Sequence, residues 1–271
     1  MLIRIISSLV GLPILAVLII LGGPWLAAAI AVVASIGLLE FYQAFGTVTF
    51  KGHALVAVFV SAHMVLLAAF GATTAFVVPM LLPVLLMIYT VVQHKARDVY
   101  LPIVGGFGFV YIVVMLSTIY LIRENWGIYA LCLIFIAAWG CDTGAYFTGK
   151  AIGKRTLAPM LSPKKTVEGA IGGSIAATVL GAVFGIILYN LGEISLNYVY
   201  FYALITLICS VAAQFGDLAA SAIKRQRGVK DFGNIIPGHG GILDRFDSII
   251  FAAPVAYFLL LIIDALYGGT I

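Results

Sequence analysis

Apolar stretches of about 20 residues, almost free of charge, recur along the whole chain and limit what it can fold into. A helix needs about 20 apolar residues to cross a hydrocarbon core about 30 Å thick, so each stretch is long enough for one membrane span. Nine such stretches can be read, near residues 5–22, 24–45, 54–70, 72–92, 101–121, 126–147, 168–191, 198–220 and 248–267. The sequence therefore predicts an all-α integral membrane protein, a polytopic bundle of about nine transmembrane helices.

Composition excludes the other broad classes of protein. Hydrophobic residues make up 63% of the chain and charged residues 10%, whereas about 25% charged residues is usual for a soluble domain. A transmembrane barrel would show short alternating strands, and these runs hardly alternate. Cys132, Cys141 and Cys209 all fall in apolar runs, and this odd, scattered set forms neither a disulfide framework nor a CxxC metal site.

The placement of Lys and Arg predicts the orientation in the membrane. Basic residues collect in the short loops on the cytoplasmic side. With nine spans and a cytoplasmic N-terminus, the opposite side receives only Arg123. The cytoplasmic side receives the other fourteen: Arg4, Lys51, Lys95, Arg97, Lys150, Lys154, Arg155, Lys164, Lys165, Lys224, Arg225, Arg227, Lys230 and Arg245.

Two further patterns in the apolar runs bear on processing and packing. The first run is longer than the apolar core of a signal peptide, so we expect a retained span. Gly169 with Gly173, and Gly181 with Gly185, have the GxxxG spacing. This spacing is typical of close helix packing, either within one chain or at the seam of a homodimer.

Charge is concentrated in the second half of the chain. Residues 140–250 hold 10 of the 15 Lys and Arg residues and 7 of the 11 Asp and Glu residues. We therefore predict a scaffold of transmembrane helices in residues 1–125. Residues 126–271 are predicted to form a catalytic transmembrane region with two cytoplasmic loops.

The segment 214–248 contains a polar helix face near the predicted membrane surface. Gln214, Asp217, Ser221 and Lys224 are spaced three, four and three residues apart, which places them on one side of a helix. A carboxylate at membrane depth is costly, so Asp217 is a functional candidate. The alternative is a structural ion pair between Asp217 and Lys224 or Arg225.

Asp244 and Asp247 lie three residues apart at the start of the last span. Together with Asp217 they suggest a site for a hard cation, since Mg²⁺ prefers oxygen ligands and is commonly held by carboxylates plus substrate phosphates. The alternative is capping of the helix N-terminus. The surrounding cations suit a phosphate-rich ligand: Lys224, Arg225, Arg227, Lys230 and Arg245.

Pro237, Gly238, His239, Gly240 and Gly241 form a tight loop between these acids. Three glycines let the backbone approach a ligand and direct N–H groups at an anion. A loop histidine either contacts that ligand or faces solvent.

A second polar segment covers residues 139–169. Asp142 and Tyr146 lie one turn apart at the cytoplasmic end of the sixth predicted helix, before the run Ser162, Pro163, Lys164, Lys165 and Thr166. Ser before Pro predicts a helix N-cap at Ser162. The paired lysines serve either as an orientation signal or as phosphate ligands.

Glu40 is the one acid in the first ninety residues. The sequence leaves open whether it is a site residue or a polar contact between helices.

These segments resemble a known family. Ser221-x-x-Lys224-Arg225-x-x-x-x-Lys230-Asp231, followed by Pro237-x-His239-Gly240-Gly241-x-x-Asp244-Arg245-x-Asp247, is similar to the signature of the phosphatidate cytidylyltransferases, also called CDP-diacylglycerol synthases. The motif at 162–169 and the region around Asp142 also resemble this family. The resemblance covers most of residues 139–250.

The resemblance implies that CTP and phosphatidate react to CDP-diacylglycerol and pyrophosphate in phospholipid biosynthesis. It implies Mg²⁺ or another divalent metal, one ion or two, on Asp217, Asp244 and Asp247. The implied catalytic residues are Asp217, Asp244, Lys224 and His239. The implied substrate-binding residues are Ser162, Lys164, Lys165, Thr166, Ser221, Arg225, Lys230, Asp231, Gly240, Gly241 and Arg245.

The expected partners are CTP, phosphatidate and membrane lipids, with no nucleic acid, and a homodimer is allowed. The expected location is the cytoplasmic membrane of a bacterium, with the active site facing the cytosol. The alternative closest in chemistry is a CTP-dependent lipid kinase of the polyprenol type. A transporter of phosphorylated solutes is a third, from a different class.

Overall fold

A computed structural model describes the backbone of residues 2–47, 50–92, 100–238 and 240–267, and the side chains of these residues except 2–8, 10, 50–54 and 101. Several residues that the sequence patterns singled out lie outside the described residues. They are His239, a predicted catalytic residue, and Lys95 and Arg97 of the charge asymmetry.

Helices account for most of the described residues. They are α1 (Leu2–Leu21), α2 (Gly23–Ala44), α3 (Phe50–Phe70), α4 (Val77–Val92), α5 (Tyr100–Gly108), α6 (Met115–Ile152), α7 (Val167–Asn190), α8 (Leu196–Gln226) and α9 (Leu243–Tyr267). A 3₁₀ turn, Gly71–Thr74, follows α3, and a π-helical turn, Phe109–Val114, joins α5 to α6.

Six stretches of helix among the described residues are long and apolar enough to cross a membrane: Gly23–Ala44, Leu55–Thr74, Pro102–Ile152, Val167–Asn190, Leu196–Gln226 and Leu243–Tyr267. The chain is an integral membrane protein. The predicted fifth and sixth spans both fall within Pro102–Ile152, which is interrupted at Gly127, where φ is 81°. The number nine and the cytoplasmic N-terminus stay predictions.

A small antiparallel hairpin modifies the all-α prediction. Strands β1 (Thr156–Ala158) and β2 (Ser162–Thr166) pair Thr156 with Thr166 and Ala158 with Ser162. The predicted helix N-cap at Ser162 is therefore wrong. Thr166 caps α7 instead, because its hydroxyl accepts a hydrogen bond from the N–H of Gly169 at 3.1 Å. Pro163 is tolerated since each strand of a two-stranded sheet has an open edge.

The chain divides into two compact units. The first unit is formed by the described residues of 1–124 and 227–246, and the second by those of 125–226 and 247–271. Residues 227–246, a large part of the predicted signature, therefore belong with the N-terminal helices. The separation of scaffold from catalytic function at residue 125 stays a prediction.

In the first unit, Arg123 closes the turn between α1 and α2. Its Nε donates to the carbonyl of Ile19 at 2.9 Å and its Nη2 to that of Ile20 at 3.2 Å, at the C-terminal end of α1. The neighbouring Glu124 accepts the N–H of Gly23, the first residue of α2, at 2.9 Å. The lone basic residue on the predicted opposite side thus caps a helix end.

In the second unit, a stripe of glycines brings α7 close to α6 and α8. Gly169, Gly173, Gly181 and Gly185 are all buried. A Cβ on Gly173 would lie 2.6 Å from the carbonyl oxygen of Cys141 on α6, and one on Gly185 would lie 3.1 Å from Val199 Cα on α8. The GxxxG spacings therefore serve packing within the chain.

We expect Gly181→Ala to destabilise the protein. The added methyl group would overlap the side chain of Thr206 on α8, and overpacking of this kind costs about 1–3 kcal/mol. Thermal unfolding in detergent measures the change. Gly11→Ala is the control, because a Cβ there has nothing within 4 Å. Equal stability of the two variants would contradict close packing at Gly181.

Candidate functional site

A cavity of about 450 Å³ lies in the second unit where α6, the hairpin, α7 and α8 meet. It is lined by Asp142, Ala145, Tyr146, Gly149, Lys150, Leu157, Ser162, Lys164, Lys165, Thr166, Gly169, Ala170 and Gln214. Four predicted substrate-binding residues, Ser162, Lys164, Lys165 and Thr166, are therefore brought together at one cavity.

The lining of this cavity is basic. Lys150, Lys164 and Lys165 contribute three cations against one lining acid, Asp142. Ammonium groups with hydroxyls beside them are suited to bind phosphate oxygens. The position of the paired lysines favours ligand binding as their role, and orientation in the membrane is compatible with it.

Lys165 also pairs with Asp217 on α8. The side chains are 33% and 24% exposed, so both remain partly accessible, and Lys165 lines the cavity. The alternative of a structural ion pair joined Asp217 to Lys224 or Arg225, whereas in the structure Asp217 pairs with Lys165. This pair joins the two polar segments that the sequence had treated separately.

Gln214 fixes the same stretch of α8 against α7. Its side-chain amide donates to the carbonyl of Ala170 at 3.2 Å and to the hydroxyl of Ser174 at 2.9 Å. Gln214 and Asp217, one turn apart on the predicted polar face of α8, are therefore directed at α7 and the hairpin.

Asp247 and Lys224 are the buried charged residues of this region, 8% and 9% exposed. Asp247 interacts attractively with Lys224 and repulsively with Asp217 and Asp142. Its Oδ1 accepts the N–H of Ser248 at 2.8 Å. Carboxylates that repel each other in this way favour a cation between them.

Among the described residues, no group of three or more His, Cys, Asp or Glu is arranged to hold a metal. Asp217 and Asp247 nevertheless fit Mg²⁺, which commonly takes one or two carboxylates and completes its shell with water and substrate phosphates. Asp244, the third predicted ligand, belongs to the first unit.

In the first unit, Asp244 holds the glycine loop. Its Oδ2 accepts the N–H of Phe232 at 2.8 Å and that of Gly241 at 3.0 Å, and the residue is 6% exposed. In this conformation the N–H of Gly241 donates to the chain's own carboxylate. Binding of substrate by Gly240 and Gly241 stays a prediction.

The first turn of α9 is capped by Glu40 from α2. The N–H of Ile242 donates to Oε1 at 3.0 Å and that of Leu243 to Oε2 at 2.8 Å. Asp244 also lies in this first turn, so the alternative that Asp244 and Asp247 serve the helix N-terminus stays a prediction beside the capping by Glu40. The sequence contained one signal for it, a single acid in a long apolar helix.

The remaining residues of the predicted site differ in their surroundings. Arg227 donates to the carbonyl of Ala44 at 3.1 Å and lies 4.9 Å over the ring of Phe45. It is therefore engaged with the end of α2. Four predicted substrate-binding residues, Arg225, Lys230, Asp231 and Arg245, are exposed, and Ser221 is half-buried.

The fold and the cavity define the class, a membrane protein with a basic cavity at the ends of its helices. The family model described as the cytidylyltransferase family matches residues 2–263, and the chain belongs to this family.

Curated relatives are named phosphatidate cytidylyltransferase. The chain is 53% identical to the one from Bacillus subtilis over 49% of its length, and 42% identical to the one from Staphylococcus haemolyticus over 58%. It spans about half the length of these two, 48% and 55%. A relative from Synechocystis is 32% identical, with 96% of each chain covered.

We expect Glu168→Ala to weaken the attachment of the segment before β1 to the start of α7. Oε2 of Glu168 accepts the N–H groups of Lys154 at 3.0 Å and Arg155 at 3.2 Å, which holds the chain entering β1 against the start of α7. Limited trypsin digestion in detergent should then cut at residues 154–165 faster than in the wild type. Glu168→Gln keeps an acceptor oxygen and should be cut at an intermediate rate. Identical cleavage rates for all three proteins would contradict this role of the Glu168 carboxylate.

Proposed function

We propose that this protein is a phosphatidate cytidylyltransferase, which transfers a cytidylyl group from CTP to phosphatidate and releases pyrophosphate. The observation that carries the proposal is the cavity with three lysines at the ends of membrane helices. The names of the relatives supply the substrates, and the family supplies the reaction type.

The cavity suits a nucleoside triphosphate bound next to a bilayer. The triphosphate is strongly anionic, and Lys150, Lys164 and Lys165 provide compensating charge. The exposed Arg225, Lys230 and Arg245 are proposed to neutralise further phosphates, including that of the lipid. A site at the helix ends allows a water-soluble nucleotide and a membrane lipid to meet.

The proposed reaction is an in-line displacement at the α-phosphorus of CTP. A phosphate oxygen of phosphatidate forms the new P–O bond, and the bond from the α-phosphorus to the bridging oxygen of pyrophosphate breaks. The lipid phosphate is already an anion at neutral pH, so the residues chiefly have to position and neutralise the reactants. Lys165 and Lys224 are proposed to do this near Asp217, and His239 to contact the nucleotide or the leaving group.

A divalent metal, Mg²⁺ in the simplest case and one or two ions, would supply charge neutralisation at the phosphates when bound. Asp217 and Asp247 are the proposed ligands in the second unit. Asp244, three residues before Asp247 on α9, is the proposed third ligand. Within the second unit, Lys165 pairs with Asp217 and Lys224 interacts attractively with Asp247.

The proposed setting is the cytoplasmic membrane of a bacterium with the cavity facing the cytosol. The asymmetry of fourteen basic residues against one supports this orientation. Membrane lipids surround the apolar helices in this setting. A homodimer would have to use a surface other than the glycine stripe of α7, since that stripe is occupied within the chain.

We expect Lys165→Met to reduce catalysis far more than stability. A partly exposed ion pair contributes about 0–1 kcal/mol to folding, whereas a charged hydrogen bond to a phosphate contributes about 1.5–3 kcal/mol. The latter corresponds to a loss of about 10- to 100-fold in kcat/KM for CTP. Lys154→Met is the control, because it removes the same charge from an exposed residue that does not line the cavity. Equal activity of the two variants would remove Lys165 from the site.

The reaction itself is tested with purified protein in mixed micelles containing phosphatidate and Mg²⁺. With CTP labelled at the α-phosphate, we expect label in the lipid, and a chelator should abolish it. Label in the lipid from the γ-phosphate would instead identify a lipid kinase. If neither label enters the lipid, the protein is not this enzyme, and nucleotide-free counterflow of phosphorylated solutes in liposomes would then test the transporter alternative.

A further inference from the structure

Glu40 is a buried acid in an otherwise apolar helix. Its residue is 2% exposed, and both oxygens of its carboxylate accept hydrogen bonds, from the N–H groups of Ile242 and Leu243. Burying a carboxylate costs several kcal/mol unless hydrogen bonds compensate. The compensation here comes from a distant segment, about 200 residues further along the chain.

Two glycines leave room for this carboxylate. A Cβ on Gly241 would lie 2.5 Å from Oε2 of Glu40, and a Cβ on Gly233 would overlap Oε1. Neither glycine has a positive φ. Space for Glu40, rather than an unusual backbone conformation, therefore requires glycine at both positions.

Asp244 holds the same segment through other backbone N–H groups. It accepts the N–H of Gly241, while Glu40 accepts those of the next two residues, so three consecutive N–H groups are taken up by two carboxylates. Asp244 also accepts the N–H of Phe232 at the beginning of the loop. Phe232, residues 241–243 and the first turn of α9 are thus held together by these two carboxylates.

We propose that Glu40 is a positioning residue for the reaction. It sets the geometry of the loop 232–243 and thereby the place of the carboxylate of Asp244 and of the neighbouring Arg245. Helix α2 then belongs to the catalytic machinery, where the sequence had assigned its region to a scaffold. This inference rests on the proposed function, because it gives Asp244 a role in transfer.

The structural half of the inference is tested without activity. In Glu40→Gln, which keeps the side-chain size but replaces one acceptor oxygen by a donor, amide hydrogen exchange in peptides covering 232–246 should rise. Exchange in α7 should stay unchanged. Unchanged exchange in 232–246 would overturn the proposal.

A double-mutant cycle provides a second measurement. Gly241→Ala should lower the melting temperature of the wild type clearly, because the methyl group meets the carboxylate of Glu40. The same change in a Glu40→Ala background should lower it much less, since the carboxylate is gone. Equal shifts in both backgrounds would overturn the proposal.

The catalytic half is tested by steady-state kinetics of Glu40→Gln. We expect kcat to fall at least about ten-fold, as for a misplaced reacting group, while KM for CTP changes less than about three-fold, because Glu40 is not among the residues that line the cavity. Thr90→Val is the control, a buried polar residue of the same unit whose hydroxyl bonds within its own helix.

The outcomes separate this inference from the proposed function. Raised exchange with unchanged kcat would make Glu40 a structural cap only and would overturn the positioning role. Raised exchange with reduced kcat and a normal Thr90→Val variant supports it. If the wild type transfers no cytidylyl group, the proposed function fails, and the exchange and cycle measurements still decide whether Glu40 sets the loop.

Discussion

Backbone N–H groups at the start of helices and strands need an acceptor, and in this protein carboxylates repeatedly provide it. Glu124 takes the first N–H of α2, Glu40 takes two at the start of α9, and Glu168 takes two before β1. Three acids of the chain are therefore committed to backbone N–H groups. For the buried Glu40, these hydrogen bonds compensate the cost of removing a carboxylate from water.

Much of the architecture could be predicted because it depends on local patterns. Long apolar runs predicted membrane helices, and the glycine spacing of α7 predicted a close helix contact. The cavity is also lined by residues of the segment 162–166, which the sequence had singled out. What the sequence could not provide was partners: nothing local relates Lys165 to Asp217, or Glu40 to Leu243, because these contacts depend on the tertiary fold. The hairpin was missed for a related reason, since Ser162 and Pro163 have the local chemistry of a helix start and Thr166 competes for the same role.

The signature residues fall into two groups with different chemistry. Lys165, Asp217 and Lys224 belong to the second unit with the basic cavity, whereas Asp244 and the glycine loop belong to the first unit with Glu40. In the first unit, Asp244 and Glu40 accept backbone N–H groups, which fixes the segment before α9. In the second unit, Lys150, Lys164 and Lys165 line the cavity and place positive charge beside it. The proposed reaction depends mainly on positioning and would use both features.

The glycine stripe of α7 divides this helix into two surfaces under different selection. On the packed surface a single methyl group meets the neighbouring helices, so substitutions there are constrained atom by atom. The opposite surface is exposed and consists of branched aliphatic residues, including Ile171, Ile175, Val179 and Val183. Since no close contact within the chain constrains these exposed side chains one methyl group at a time, that surface can exchange one aliphatic residue for another as a species adapts its lipids to temperature. Adaptation to a new membrane can thus proceed on α7 without disturbing the cavity.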